Sequence, residues 1–270
     1  VSGVFVSHTH RIRASVVTGG GPAAAGLVCN TLPFPARHAA WQSAASNIRA
    51  KTLWDAAAEK RMKTAAVMWP VTAHSKKIRY NIPEVMAGPG QNQVPTSLLA
   101  GSQPLQIRMF LRHRHLLRGI AQPWRDEFAT ACMADILRTK RPALALMHLT
   151  AYDSLCHKYG KDYDALQPAF ASLAQNLNTL LGAIDDDTAV IVFSDHGQLP
   201  VHTSVQPNNL LLQHSWLTMA ESGYAPTAAG CYFECAGGSA FFHPGKLAAQ
   251  DIRTLQSEAR TLPGFARFLT

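Results

Sequence analysis

Ala189-Val190-Ile191-Val192-Phe193-Ser194-Asp195-His196-Gly197 is the stretch of this 270-residue chain that decides its fold. Its first five residues form an apolar, largely β-branched run, bounded upstream by Asp185-Asp186-Asp187. A run this continuous suits a strand buried on both faces of a parallel sheet. Ligands of open α/β sheets sit outside the carboxyl ends of the strands. Asp195 and His196 can both face that crevice if the backbone turns sharply, and Gly197 permits such a turn. Carboxylate oxygen and imidazole nitrogen are ordinary zinc ligands, although Asp195 capping a helix beside an incidental histidine reads the same residues equally well.

Working outward, Thr64–Trp69 and Ala143–Leu149 are two further apolar runs, the first closed by Pro70. Helical patterns precede each run: Thr52–Arg61, Trp124–Lys140 and Tyr163–Ile184, the last with Leu166, Phe170, Leu173, Leu177, Leu180 and Leu181 near helical spacing. Helix and strand alternating in this way predict an α/β fold, a doubly wound, mostly parallel sheet with helices on both faces. Residues 75–123 interrupt the alternation with several Pro, Gly and Gln residues and read as a cap-like insertion in a single domain over 1–270. Val1–Val6 reads as a strand entering mid-fold, and no internal repeat or signal peptide is visible.

A second constellation, Asp153-Ser154-Leu155-Cys156-His157, follows the Ala143–Leu149 run. Asp and His at i and i+4 share one face of a helical turn. A surface Asp–His pair is common, but two such sets, each just past a strand, suggest two metal ions side by side, an arrangement that clamps an in-line displacement at phosphorus. A third candidate is Thr9. An alcohol at a helix N-terminus sits beside N–H groups that favour phosphate, and a metal could make it a nucleophile. Threonine is equally a common N-cap.

Composition narrows the classes. Hydrophobic residues are 47% and charged residues 16%, which is globular and excludes a disordered chain. No apolar run is long enough for a membrane span. The net charge of +8 suits a small anionic ligand such as a phosphate ester, and no basic-aromatic nucleic-acid-binding motif is present. The densest basic stretch, Arg108–Arg118, reads as a solvated helix face. The five cysteines fit neither a disulfide framework nor a zinc ribbon and lean toward a reducing, cytoplasmic compartment.

Three stretches together resemble the alkaline phosphatase superfamily, within its branch of type I phosphodiesterases and nucleotide pyrophosphatases. THRIRASVVTGGGPAAAGLVCN, from Thr9 to Asn30, is similar to the family's nucleophile segment. His148-Leu149-Thr150-Ala151-Tyr152-Asp153 followed by His157-Lys158-Tyr159-Gly160 is similar to its Asp-x-x-x-His metal motif, and Ser194-Asp195-His196-Gly197 to its Ser-Asp-His-Gly motif. Lys51-Thr52-Leu53-Trp54, Trp69-Pro70 and Asn81-Ile82-Pro83 also resemble it.

The resemblance implies metal-dependent hydrolysis of phosphodiester or nucleotide pyrophosphate bonds through a phospho-threonine. Thr9 would be the nucleophile and Asn30 would contact a substrate phosphate oxygen. Of two divalent metal ions, expected to be zinc, one would be held by Asp195, His196 and Thr9 and the other by Asp153 and His157. A phosphomonoesterase or phosphonate hydrolase of the same fold, or a non-catalytic phosphate- or nucleotide-binding module, are the alternative expectations. The family's Tyr-Pro-x-His is here His10-Arg11-Ile12-Arg13. The family also has a metal-binding Asp on its first strand and a late metal-binding His, both expected outside 1–270; His202, His214 and His243 are the candidates inside it for the late His. His243, after an apolar run, reads as structural, and Phe34 between two prolines as a turn residue that could stack on a base.

Overall fold

The computed structural model describes residues 8–31, 41–88, 90–220, 223–226 and 230–268. It divides into two compact units, Val1–Thr31 with Trp41–Gln198, and Leu32–Ala40 with Leu199–Thr270. The first unit runs α1 (Thr9–Thr18), α2 (Pro22–Ala25), α3 (Leu53–Glu59), β1 (Thr64–Val67), β2 (Tyr80–Ile82), α4 (Gln93–Ala100), α5 (Gln103–His113), α6 (Trp124–Lys140), β3 (Leu144–Met147), α7 (Ala151–Tyr159) and α8 (Tyr163–Leu181).

Its sheet is parallel, in the order β2-β1-β3. The central strand β1 is fully buried, with Thr64, Ala65, Ala66 and Val67 all at 0% exposure, as expected of a parallel strand covered on both faces. Side chains alternate across a strand, so its residues sort by face. Ala66 and Leu146 pack with Val17 of α1 and Trp54 of α3. Ala65 and Val67 pack with Ala129, Met133 and Ile136 of α6, and Leu180 of α8 joins them. Helices therefore cover both faces, and each large side chain buried there contributes about 1.5–3 kcal/mol relative to exposure.

Local chemistry sets the helix ends. Thr52 and Asp55 form a capping box at α3: the Asp55 N–H donates to Thr52 Oγ1 at 3.2 Å and the Thr52 N–H to Asp55 Oδ2 at 2.9 Å. Helix α6 carries Asp126 and Glu127 in its first turn and Arg138 and Lys140 in its last, matching the helix dipole. Asp162 caps α8, which ends at Leu181, three residues short of the predicted Ile184. The stretch 75–123 supplies β2 to the sheet and then α4 and α5.

The Ala189–Phe193 run departs from expectation. It pairs into no ladder among the described residues, and Val190, Ile191 and Val192 are 51%, 84% and 68% exposed. Composition makes a segment strand-prone, but a strand also needs a partner for its N–H and C=O groups, which composition does not supply. Val1–Val6 and Phe34 lie outside the described residues.

The second unit holds α9 (Asn208–Gln213), β4 (Leu217–Ala220), β5 (Gly223–Pro226), β6 (Tyr232–Ala236), β7 (Ser239–His243) and α10 (Ala249–Ala259). β4–β5 and β6–β7 are antiparallel pairs. Leu211, Leu217, Cys231 and Leu255 form its core, and the Asn208 side chain bonds both the N–H and the C=O of Phe233, fixing α9 to β6.

Candidate active site

Thr9 is the first residue of α1. His8 before it is extended and gives no side-chain cap; instead Asn30 Oδ1 accepts the His10 N–H at 2.9 Å, capping the helix from a separate loop. Thr9 and Arg13, one turn apart, share a helix face. Thr9 Oγ1 stands 3.5 Å from His196 Nε2. Asp195 Oδ2 lies 3.5 Å from Arg13 Nε and 3.8 Å from His196 Nε2. The Arg13–Asp195 pair is nearly buried, yet at that distance it is an ion-pair contact, and Asp195 Oδ2 has no hydrogen-bond partner among the described residues. The Arg13 guanidinium carbon sits 5.1 Å from the Trp69 ring and 5.2 Å from the Phe193 ring. Burial lowers the Arg13 pKa, and Asp195 and Glu84 oppose that shift.

Asp153 and His157 lie on α7, with Oδ1 to Nε2 at 3.5 Å and side-chain exposures of 43% and 74%. Gln198 Nε2 donates to Asp153 Oδ1 at 2.5 Å and to the Asp153 carbonyl at 3.4 Å. Gln198 is two residues past His196, so the loop carrying Asp195 and His196 reaches α7. The structure thus gathers Thr9, Asp195 and His196, holds Asn30 against the start of α1, and places Asp153 with His157 as a separate pair joined to that loop. Of the histidines considered as further ligands, His214 meets Glu258 at 2.7 Å and stacks on Trp216, while His243 stacks on Tyr232; both are in the second unit, as is the exposed His202.

Hydroxyl, carboxylate and imidazole are donors for a divalent cation. Thr9 Oγ1, the orphaned Asp195 Oδ2 and His196 Nε2 fit one by their chemistry and proximity. Asp153 and His157 offer two donors, one already engaged by Gln198. No three His, Cys, Asp or Glu side chains gather into a cation site among the described residues.

The sequence reading missed a polar pair beside His10. Glu84 Oε2 and His148 Nδ1 are 3.0 Å apart. They sit just past β2 and β3, where the rule on strand carboxyl ends would have found them. Burial alone would raise the Glu84 pKa, but the His148 hydrogen bond and the nearby His148, His10 and Arg125 outweigh it, so the carboxyl titrates below its usual range. His10 is 2% exposed, and burial pushes its pKa down to about 4. Glu84, His10 and Arg125 line a cavity of about 220 Å³.

The family model described as Type I phosphodiesterase / nucleotide pyrophosphatase matches residues 1–262. Among solved structures, the chain is similar to phosphonoacetate hydrolase from Sinorhizobium meliloti 1021 in complex with phosphonoformate, at 17% identity and a TM-score of 0.60. The same enzyme in complex with phosphonoacetate gives 18% and 0.59. Each likeness covers 96% of this chain and 63% of the other, so the chain spans under two thirds of the length of those structures, and at this identity the likeness shows the fold, which is alkaline-phosphatase-like. No curated protein matches the chain.

Proposed function

Because the chain belongs to the type I phosphodiesterase / nucleotide pyrophosphatase family, we propose that it hydrolyses phosphodiester or nucleotide pyrophosphate bonds through a phospho-threonine on Thr9. The observation that carries this reading is the convergence of Thr9 Oγ1, His196 Nε2 and Asp195 Oδ2 at the start of α1. Thr9 Oγ1 attacks phosphorus and gives its proton to solvent water, the bond from phosphorus to the leaving oxygen breaks, and the departing oxygen takes a proton back from solvent. The N-terminus of α1 favours the phosphate's negative charge. Asn30, whose Oδ1 is held by the His10 N–H, has its amide NH₂ to offer a phosphate oxygen. Arg13 holds the Asp195 carboxylate beside the nucleophile. Water then attacks the phospho-threonine and restores the hydroxyl.

Two divalent cations, with zinc the ion the donors suit, would be held by Thr9, Asp195 and His196 and by Asp153 and His157; when bound they would lower the hydroxyl pKa and neutralise charge gathering on the phosphoryl oxygens. A second reading, phosphonate hydrolysis at the same residues, draws support from the phosphonates bound to the structural neighbours. The five cysteines form no disulfide, which supports a reducing, cytoplasmic compartment.

The test compares turnover of bis(4-nitrophenyl) phosphate, 4-nitrophenyl phosphate and phosphonoacetate with zinc present. Preference for the diester supports the proposal. Preference for phosphonoacetate favours the second reading, and nucleotide binding without turnover of any substrate indicates a binding module.

A further inference from the structure

We infer that the cavity beside α1 is a subsite for a neutral polyhydroxylated group, a single sugar ring or short polyol, on the organic side of the phosphoester; this rests on the phosphoester-hydrolase reading of Thr9. The cavity adjoins both candidate pairs in the chain, since His10 follows Thr9 and Ser154 follows Asp153, and both line it. Its volume of about 220 Å³ is below the roughly 300–1,000 Å³ of pockets for drug-sized ligands, so one ring fits better than a whole nucleoside.

The walls carry buried polar atoms to which the described residues supply no bonding partner. His10 is 2% exposed, and both of its ring nitrogens are buried with no hydrogen-bond partner among the described residues. Arg125 Nη2 donates to Thr150 Oγ1 at 2.6 Å, but its Nε–H is buried with no partner among the described residues. Glu84 commits Oε2 to His148, and its other oxygen is bonded to no described residue. Leaving buried polar groups unsatisfied is costly, so such a set in a cavity marks a place for a ligand's polar atoms.

The chemistry of that ligand follows from the mixture. Glu84 can only accept, Arg125 can only donate, and the imidazole and the hydroxyl of Ser154 can serve both needs. Each hydroxyl on a ligand both donates and accepts, which matches the set. An anionic group would face the Glu84 carboxylate, and a cationic one the Arg125 guanidinium. Trp41 and Met86, 42% and 50% exposed, give the rim apolar surface on which the C–H face of a ring can lie.

The experiment has one arm independent of turnover. Saturation-transfer NMR of the full chain is run with myo-inositol, glycerol, acetate and choline, each alone. The expected result is transfer to inositol or glycerol, reduced at least about fivefold in Glu84→Gln and in Trp41→Ala, the second at an exposed position that the fold tolerates. Transfer to acetate or choline but to neither polyol overturns the inference, as does polyol transfer unchanged in both variants. In the second arm, kcat/KM for glyceryl 4-nitrophenyl phosphate should exceed that for ethyl 4-nitrophenyl phosphate by about tenfold, and the ratio should fall toward one in the variants. Equal rates in the wild type overturn the subsite. Absence of turnover with polyol transfer intact counts against the hydrolase reading and supports the cavity's ligand class.

Discussion

Asp126 Oδ2 accepts the backbone N–H of Ala151 at 2.7 Å, and the same oxygen takes the N–H of Thr150 at 2.7 Å. A buried carboxylate on α6 thereby caps α7, the helix that carries Asp153 and His157. Charge-assisted bonds of this kind exceed neutral ones, and removing the acceptor strands two buried donors. Asp126→Ala should destabilise the chain by about 3 kcal/mol and Asp126→Asn by about 1–2 kcal/mol, read from urea denaturation. A loss under about 0.5 kcal/mol in the alanine variant would mean that water replaces the carboxylate.

Thr9→Ala should lower diester turnover by at least about 10³-fold with an unchanged far-UV CD spectrum, because the attacking oxygen is removed while α1 keeps its Asn30 cap. Thr9→Ser keeps the oxygen and should retain measurable turnover. Mass spectrometry of acid-quenched enzyme should find phosphate on Thr9; phosphate on another residue would reassign the nucleophile.

Cation affinity should depend unequally on the two candidate pairs. Asp195 and His196 meet Thr9 Oγ1 in a nearly buried cluster, whereas Asp153 Oδ1 is engaged by Gln198 and His157 is 74% exposed. Asp195→Ala should weaken zinc binding by more than about 100-fold and His157→Ala by less, measured by competition with a chromophoric chelator. The reverse order would shift the principal cation to α7.

The Glu84 carboxyl, held below its usual 4.5 by His148 despite burial, gives a pH signature. A depressed folded-state pKa adds stability at pH above the unfolded value, and that contribution is lost as pH falls through the folded value. Thermal midpoints of the wild type should therefore drop on acidification below about 4.5, and Glu84→Gln should flatten that limb. Parallel acid limbs for the two proteins would show that Glu84 does not carry the effect.

Reading the sequence located the sheet and its helices where the signal is local. The runs at Thr64–Trp69 and Ala143–Leu149 became β1 and β3, and α6 spans the predicted Trp124–Lys140. The run at Ala189–Phe193 carried the same signal without a ladder among the described residues, because pairing depends on what the fold brings alongside. Site legibility divides in the same way. Asp153 with His157 is an i, i+4 pattern and visible in one window. Glu84 with His148 is a contact across 64 residues, and Asp126 with Thr150 one across 24, so neither leaves a periodic trace. His10 and Arg13 stood out only as departures from a familiar motif, and the structure shows each with contacts of its own.

Arg13, set against the rings of Trp69 and Phe193 and facing Asp195, sits one turn along the same helix as Thr9. The Thr9 hydroxyl and the guanidinium that meets Asp195 are thus mounted on one helix. The backbone of α1 therefore fixes how far the two groups stand from each other, independently of the loop that carries Asp195. Four residues of helix, about 6 Å of rise, are the ruler that sets this spacing.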